Sequence, residues 1–168
     1  MMVEASLVNL AEFGVLTVGV VLALQQLRDL KKTREIELET RQAQLFWRTI
    51  DKAFSKEGLD NFRVLRNTTW SSYEEWLELR RDDSEYYTAY LWLSHLYEGI
   101  GTSVRLGHTD IKLLAYCIPS DHLRWWETYR DIVYSQRKRL NYRRYHSEWE
   151  YLYNELVKYL EEHPELAP

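Results

Sequence analysis

Asn9 to Gln26 reads NLAEFGVLTVGVVLALQQ, an apolar run that carries an asparagine and a glutamate. Around it, Ala5 to Leu24 make twenty residues whose only strongly polar members are Ser6, Asn9 and Glu12. Twenty helical residues rise about 30 Å, the thickness of a hydrocarbon core, so the stretch predicts one membrane-spanning helix. Arg28, Lys31, Lys32 and Arg34 follow it, while the N-terminal flank carries only Glu4. By the positive-inside rule the N-terminus faces outward across the cell inner membrane and the C-terminal part is cytoplasmic. A cleaved signal peptide would carry its basic flank ahead of the apolar run, where this chain has none. Phe13 to Leu24 taken alone has the length of a buried core helix, which is the competing reading.

The polar and small residues of the run decide between the two. Asn9, Glu12, Leu16, Gly19, Ala23 and Gln26 follow one another at intervals of 3, 4, 3, 4 and 3 residues. That spacing puts all six on one helix face and leaves Leu7, Leu10, Phe13, Val18 and Leu22 elsewhere, toward lipid. A carboxylate at the centre of a span is disfavoured by roughly 2.5 to 3.5 kcal/mol, so Glu12 is expected to point away from lipid. One helix has no interior, and the stripe therefore predicts a homo-oligomer or an unseen membrane partner. With few chains the stripe makes a closed seam of small residues. With more chains it lines a pore, with Leu16 as its apolar constriction.

The 168 residues, 45% hydrophobic and with a formal net charge of -4, suit one compact domain plus this appendage, and exclude a strongly basic nucleic-acid binder. The single cysteine, Cys117, excludes an internal disulfide framework. Seven Trp and 13 Tyr predict an aromatic core whose ring N–H and O–H groups need partners. No Gly or Pro lies between Val20 and Glu57, so the transmembrane helix is expected to continue as a stalk helix to about Phe54. The expected division is a transmembrane segment at 1–27, a juxtamembrane stalk at 28–54 and a cytoplasmic helical bundle at 55–168. Lys31, Lys32 and Arg34 stand where they would meet anionic headgroups.

Gly58 is expected to break the stalk, with a short element at Leu59 to Arg66. Ser71 or Ser72 with Glu74 and Glu75 forms a capping-box signature for a helix to about Arg80. Further helices are expected from 82 to about Leu106 with a stop at Gly107, from Asp110 to Tyr116, from Ser120 to about Leu140, and from Ser147 to Glu162. No alternating strand pattern occurs, and the fold class is all-α. In the helix before Gly107, Glu98 is the one charge on a face with Tyr87, Tyr90, Leu91, Ser94, Tyr97 and Gly101. A carboxylate on a packed face needs a partner, and Arg130 and Arg137, seven residues apart on one side of a later helix, are the expected ones.

These features resemble a bacterial domain-of-unknown-function family of short proteins with one N-terminal membrane helix, a charged stalk and an α-helical domain. The resemblance rests on the apolar segment, on YEGIG at 97–101 with Gly107 and Asp110, and on Trp125 or Trp126 with Arg137. It implies fold and topology, not an activity. A weaker likeness is to the small pore-forming membrane protein that accompanies RNA-targeting CRISPR effectors, which would make an effector or RNA a partner and antiviral defence the setting. That second class often carries an Arg, four to six residues, then a His as an RNase motif. Arg139 and His146 stand at that spacing, with the loop-like Asn141 to Arg144 between them. The competing reading of His146 is a helix-start residue.

QRKRLNYRRY at 136–145 is basic with interleaved aromatics, and Arg137, Lys138, Arg139, Arg143 and Arg144 would suit RNA or headgroup phosphates. Cations near a helix C-terminus are also favoured by the helix dipole. His95, His108, His122 and His163 show no metal-ligand spacing, and no phosphate-cradling loop or nucleophile elbow occurs, so no metal, cofactor or small-molecule substrate is expected. The leading expectation is a self-associating single-pass membrane protein forming a pore. A membrane-tethered RNase or RNA-binding module and a passive membrane scaffold are the alternatives.

Overall fold

The computed structural model describes residues 2–117 and 119–167, with the side chains of 2–15 and 17 left outside the description. The described residues form α-helices joined by short turns, with no strand among them. The order is α1 (Met2–Ala53), α2 (Lys56–Asn67), α3 (Tyr73–Asp82), α4 (Ser84–Arg105), α5 (Ile111–Tyr116), α6 (Pro119–Leu140) and α7 (Ser147–Glu162), then a 3-10 turn at Pro164–Leu166. The chain divides into two compact units, Met1–Arg41 and Gln42–Pro168. α1 supplies the first unit and the opening helix of the second. Among the described residues no helix is long and apolar enough to cross a membrane.

In the first unit, every described side chain from Val18 to Arg41 is exposed. The second unit has its own aromatic core. Trp76, Tyr86, Tyr90, Leu93, Tyr97, Trp126, Tyr129 and Trp149 are buried, from α3, α4, α6 and α7. Tyr97 stacks on Trp149 at 5.2 Å with planes 9° apart, and Trp76 meets Tyr90 edge-on at 5.2 Å. The phenols pair with one another, Tyr86 with Tyr129 and Tyr90 with Tyr145, each at 3.4 Å. Burial holds the Tyr90 and Tyr129 hydroxyls well above their usual titration range and pushes Tyr86 up to about 12. The indole N–H groups differ from expectation, since Nε1 of Trp76, Trp125 and Trp149 has no hydrogen-bond partner. A large ring still contributes through its apolar area when its one polar atom stays unpaired.

Local chemistry sets the helix ends. Ser72 starts α3 by accepting from Glu75 N–H at 3.1 Å, and the Glu75 carboxylate accepts in return from Ser71 N–H at 2.7 Å, the reciprocal arrangement of a capping box displaced by one residue. Asp83 caps α4 through Tyr86 N–H. Gly107, with φ +70, ends it in the left-handed conformation that glycine adopts without steric penalty. Gly58 departs from the expected break. It lies inside the first turn of α2, where a Cβ would sit 2.1 Å from the Ala53 carbonyl oxygen, so a close backbone approach selects the glycine.

Candidate functional site

The expected stripe on α1 falls partly outside the described side chains, which exclude Asn9 and Glu12. Leu16, Gly19, Ala23 and Gln26 are exposed, and a Cβ built on Gly19 meets nothing within 4 Å. The basic residues after it, Lys31, Lys32 and Arg34, are exposed as well.

Glu98 has a different partner from the arginines expected for it. Its carboxylate oxygens accept from the backbone N–H of Glu148 at 3.4 Å and of Trp149 at 3.0 Å, in the first turn of α7. The open N–H groups of a helix start attract a carboxylate, so a residue on α4 caps α7. This cap is needed because α7 lacks its own. The N-cap residue, His146, is left-handed at φ 51 and ψ 40 and offers no side-chain bond. Burial still outweighs the two N–H contacts and raises the Glu98 pKa above the ordinary carboxyl value. Glycine makes the contact possible three residues later in the same motif, since a Cβ at Gly101 would lie 2.0 Å from the Glu148 carbonyl oxygen. YEGIG is therefore the docking edge of α4: Tyr97 stacks on Trp149, Glu98 caps α7, and Gly101 lets the backbones touch.

Arg137 holds the turn between α6 and α7. Its guanidinium donates to the Tyr145 carbonyl at 2.8 Å, the His146 carbonyl at 3.2 Å and the Glu150 carboxylate at 2.6 Å. Arg130 is half-exposed, and its ion pair among the described residues is with its neighbour Asp131, at 3.9 Å. Arg139 and His146 make no hydrogen bond or ring contact with each other among the described residues. Arg139 is exposed, whereas His146 is 9% exposed among Tyr90, Tyr145 and Trp149, with Nε2 unpartnered. Burial above all, with smaller electrostatic contributions from the neighbouring His95 and Arg137, lowers the His146 pKa to about 4. Of the basic run, Arg137, Lys138 and Arg143 line a shallow cleft of about 510 Å³ with Tyr134 and Asn141, and Arg144 is exposed.

The second unit also holds a cleft that the sequence did not announce. About 300 Å³ in volume, it lies between the end of α1, α2, α4 and the start of α6. Ile50, Ala53, Phe54, Leu59, Phe62, Leu96 and Ile100 form its apolar wall, and Arg63, Arg66, Asn67, Asp121, His122 and Tyr97 its polar one. His122 Nε2 is 3.1 Å from the Cys117 carbonyl, which can only accept, so Nε2 carries the proton. Nδ1 then accepts from the Tyr97 hydroxyl, 3.2 Å away. Burial lowers the His122 pKa to about 4, keeping the ring neutral, and raises that of Tyr97. Asp121 is shared between Arg66 at 3.1 Å and Arg124 at 3.4 Å. A second cleft of about 530 Å³ shares Thr49, Ile50, Leu96 and Ile100 as its wall and is lined mainly by apolar groups. No cluster of His, Cys, Asp or Glu among the described residues has the grouping of a metal site.

A family model described as domain of unknown function (DUF4760) matches residues 13–156. The chain belongs to that family. Within the DUF4760 match fall Glu98, Gly101, Arg137 and Trp149, the residues that dock α4, α6 and α7, together with both walls of the 300 Å³ cleft. No curated protein and no solved structure matches the chain, and no link to a CRISPR effector is shown.

Proposed function

We propose that this DUF4760 member is a single-pass membrane protein that self-associates through α1 and carries a cytoplasmic helical domain. The observation behind the proposal is the surface of α1. Leu16, Val18, Val20, Val21, Leu22 and Leu24 are 54 to 67% exposed, and Arg28, Lys31, Lys32 and Arg34 follow the run. A continuous apolar surface of this kind calls for a covering phase, and the basic residues suit the headgroup zone at its cytoplasmic end. The proposed span begins at Ala5 and so includes residues whose side chains lie outside the described ones.

Lipid covers the outward-facing leucines and valines in this reading, while sister copies of α1 meet along Leu16, Gly19, Ala23 and Gln26. The pore is the finer form of the proposal: a ring of enough copies leaves an aqueous hole along Asn9, Glu12 and Leu16. The nuclease alternative draws no support from His146, whose buried ring lacks the solvent access that proton transfer to RNA requires.

Five measurements test the proposal. The protein should resist alkaline carbonate extraction and float with liposomes. The sequon Asn67-Thr68-Thr69, with an exposed Asn67, should stay unmodified in microsomes. Gly19→Cys in a Cys117→Ser background should cross-link copies on oxidation. Release of the protein by carbonate, or glycosylation at Asn67, would refute the topology. Monomeric Gly19→Cys protein would refute the seam. Bilayer recordings of wild type and Leu16→Ser then separate a hole from a closed bundle.

A further inference from the structure

The 300 Å³ cleft pairs an apolar interior with a cationic mouth. Its volume lies at the lower end of the range for small-molecule sites, about 300 to 1,000 Å³. The interior is built on Phe62, which meets Trp92 edge-on at 5.0 Å and stacks on Trp125 at 5.6 Å. At the mouth, Asp121 is the one acidic residue lining the cleft, and its two oxygens are divided between Arg66 and Arg124. Arg63 has an exposed pairing with Asp60 at 3.2 Å, and the exposed Asn67 amide makes no hydrogen bond among the described side chains. Guanidinium donors therefore outnumber carboxylate acceptors there. Deeper in, the Tyr97 hydroxyl is committed as a donor to His122 and His122 Nε2 to Cys117, so the inner polar wall has no free proton to offer a ligand.

We propose that this cleft binds a small amphipathic carboxylate, a medium-chain fatty acid in chemical class, with its tail against Phe62 and Leu96 and its head at Arg63, Arg66 and Asn67. The assignment follows from the direction of the two walls. A carboxylate accepts only and matches the forked donors of arginine, whereas the same head placed inward would face the lone pairs of Tyr97. The acyl tail removes apolar surface from water on both sides of the contact. Every residue named belongs to the second unit, so the site stands independently of the membrane reading.

Octanoate is the probe, with octanol and octyltrimethylammonium as its uncharged and cationic counterparts. The full chain is held in amphipol, and an amphipol blank corrects for partitioning. Trp92 and Trp125 report occupancy through their contact with Phe62. Octanoate should give a saturable change in tryptophan emission, with octanol at least about tenfold weaker and the cation silent. Arg63→Ala/Arg66→Ala should weaken octanoate by about tenfold or more, since each residue supplies charge-assisted hydrogen bonds. Asn67→Asp, which adds a negative charge at an exposed position, should weaken it several-fold with an unchanged melting temperature. The proposal is overturned if octanol binds as well as octanoate, or if wild type gives no saturable change. It is equally overturned if either variant binds octanoate as wild type does.

Discussion

Two glycines in one motif should respond to alanine with opposite sign. Gly99 and Gly101 both lie inside α4, and both lack the side chain that a helix interior favours. At Gly99 a Cβ meets nothing within 4 Å, so Gly99→Ala gains helix propensity, about 0.8 to 1 kcal/mol, with no opposing contact. At Gly101 a Cβ would stand 2.0 Å from the Glu148 carbonyl oxygen and 2.6 Å from its carbon, where ordinary contact begins at 3.4 Å. The neighbour is backbone and cannot swing aside, so α7 must retreat by about 1.4 Å, the difference of those two distances. Overpacking of this kind costs about 1 to 3 kcal/mol. The retreat also loosens the two N–H bonds to Glu98, worth about 1 kcal/mol each. Set against the propensity gain, the net expectation is a loss of about 2 to 4 kcal/mol. Urea unfolding followed by near-ultraviolet circular dichroism, which reads the Tyr97–Trp149 stack, measures both variants. Gly101→Ala protein as stable as wild type, or equal losses from both substitutions, would refute the close approach of α4 and α7.

Glu98→Leu removes both bonds to α7 and should lose about 1 to 3 kcal/mol, while Glu98→Gln keeps an acceptor and should lose less; equal melting temperatures for both variants and wild type would show that the cap contributes nothing. Arg137→Lys should cost about 2 to 4 kcal/mol in urea titration, because an ammonium cannot span the two carbonyls and Glu150 as the guanidinium fork does. His122 and His146 are both held near pKa 4, below the ordinary 6.5, so the unfolded chain takes up protons that the folded chain refuses between those values. Stability should therefore fall as pH drops from about 6.5 to 4, by about 3 kcal/mol per histidine, being some 2.5 units at 1.36 kcal/mol each. The raised Glu98 carboxyl works in the opposite direction, since the folded state takes up its proton first. His122→Gln with His146→Asn, the asparagine chosen for its tolerance of the left-handed conformation, should flatten the profile; identical slopes would exclude the histidines as its source.

The helices of the second unit were readable because their signals are local. Ser72 before Glu75, Asp83 before Tyr86 and Gly107 after Arg105 each act within a few residues of the end they set. Side-chain partners were not readable in this way, because they depend on which helix lies alongside. Glu98 was recognisable as a carboxylate requiring a partner, yet its partner is the backbone of residues 148 and 149, and backbone donors leave no mark in composition. Ser147 reads in sequence as an ordinary helix start, and only the structure shows that the N-cap position falls on the left-handed His146, which supplies no cap of its own. Gly58 misled for the same reason, because a glycine selected by a neighbouring carbonyl looks in sequence like one that ends a helix. The 300 Å³ cleft draws on four helices, and no spacing rule connects Arg66 with Asp121 or Tyr97 with His122.

The borrowed cap on α7 also bears on synthesis. Glu98 leaves the ribosome fifty residues ahead of the two amides it serves, and the last helix has no means of its own to secure its start. Until Trp149 arrives, α4 presents a half-buried carboxylate and an open face of Tyr97 to whatever is nearby. A nascent chain halted before α7 has therefore not reached a stable smaller fold. The face of Tyr97 and the carboxylate of Glu98 find their partners only when α7 docks, so the last helix to be made completes the packing of α4.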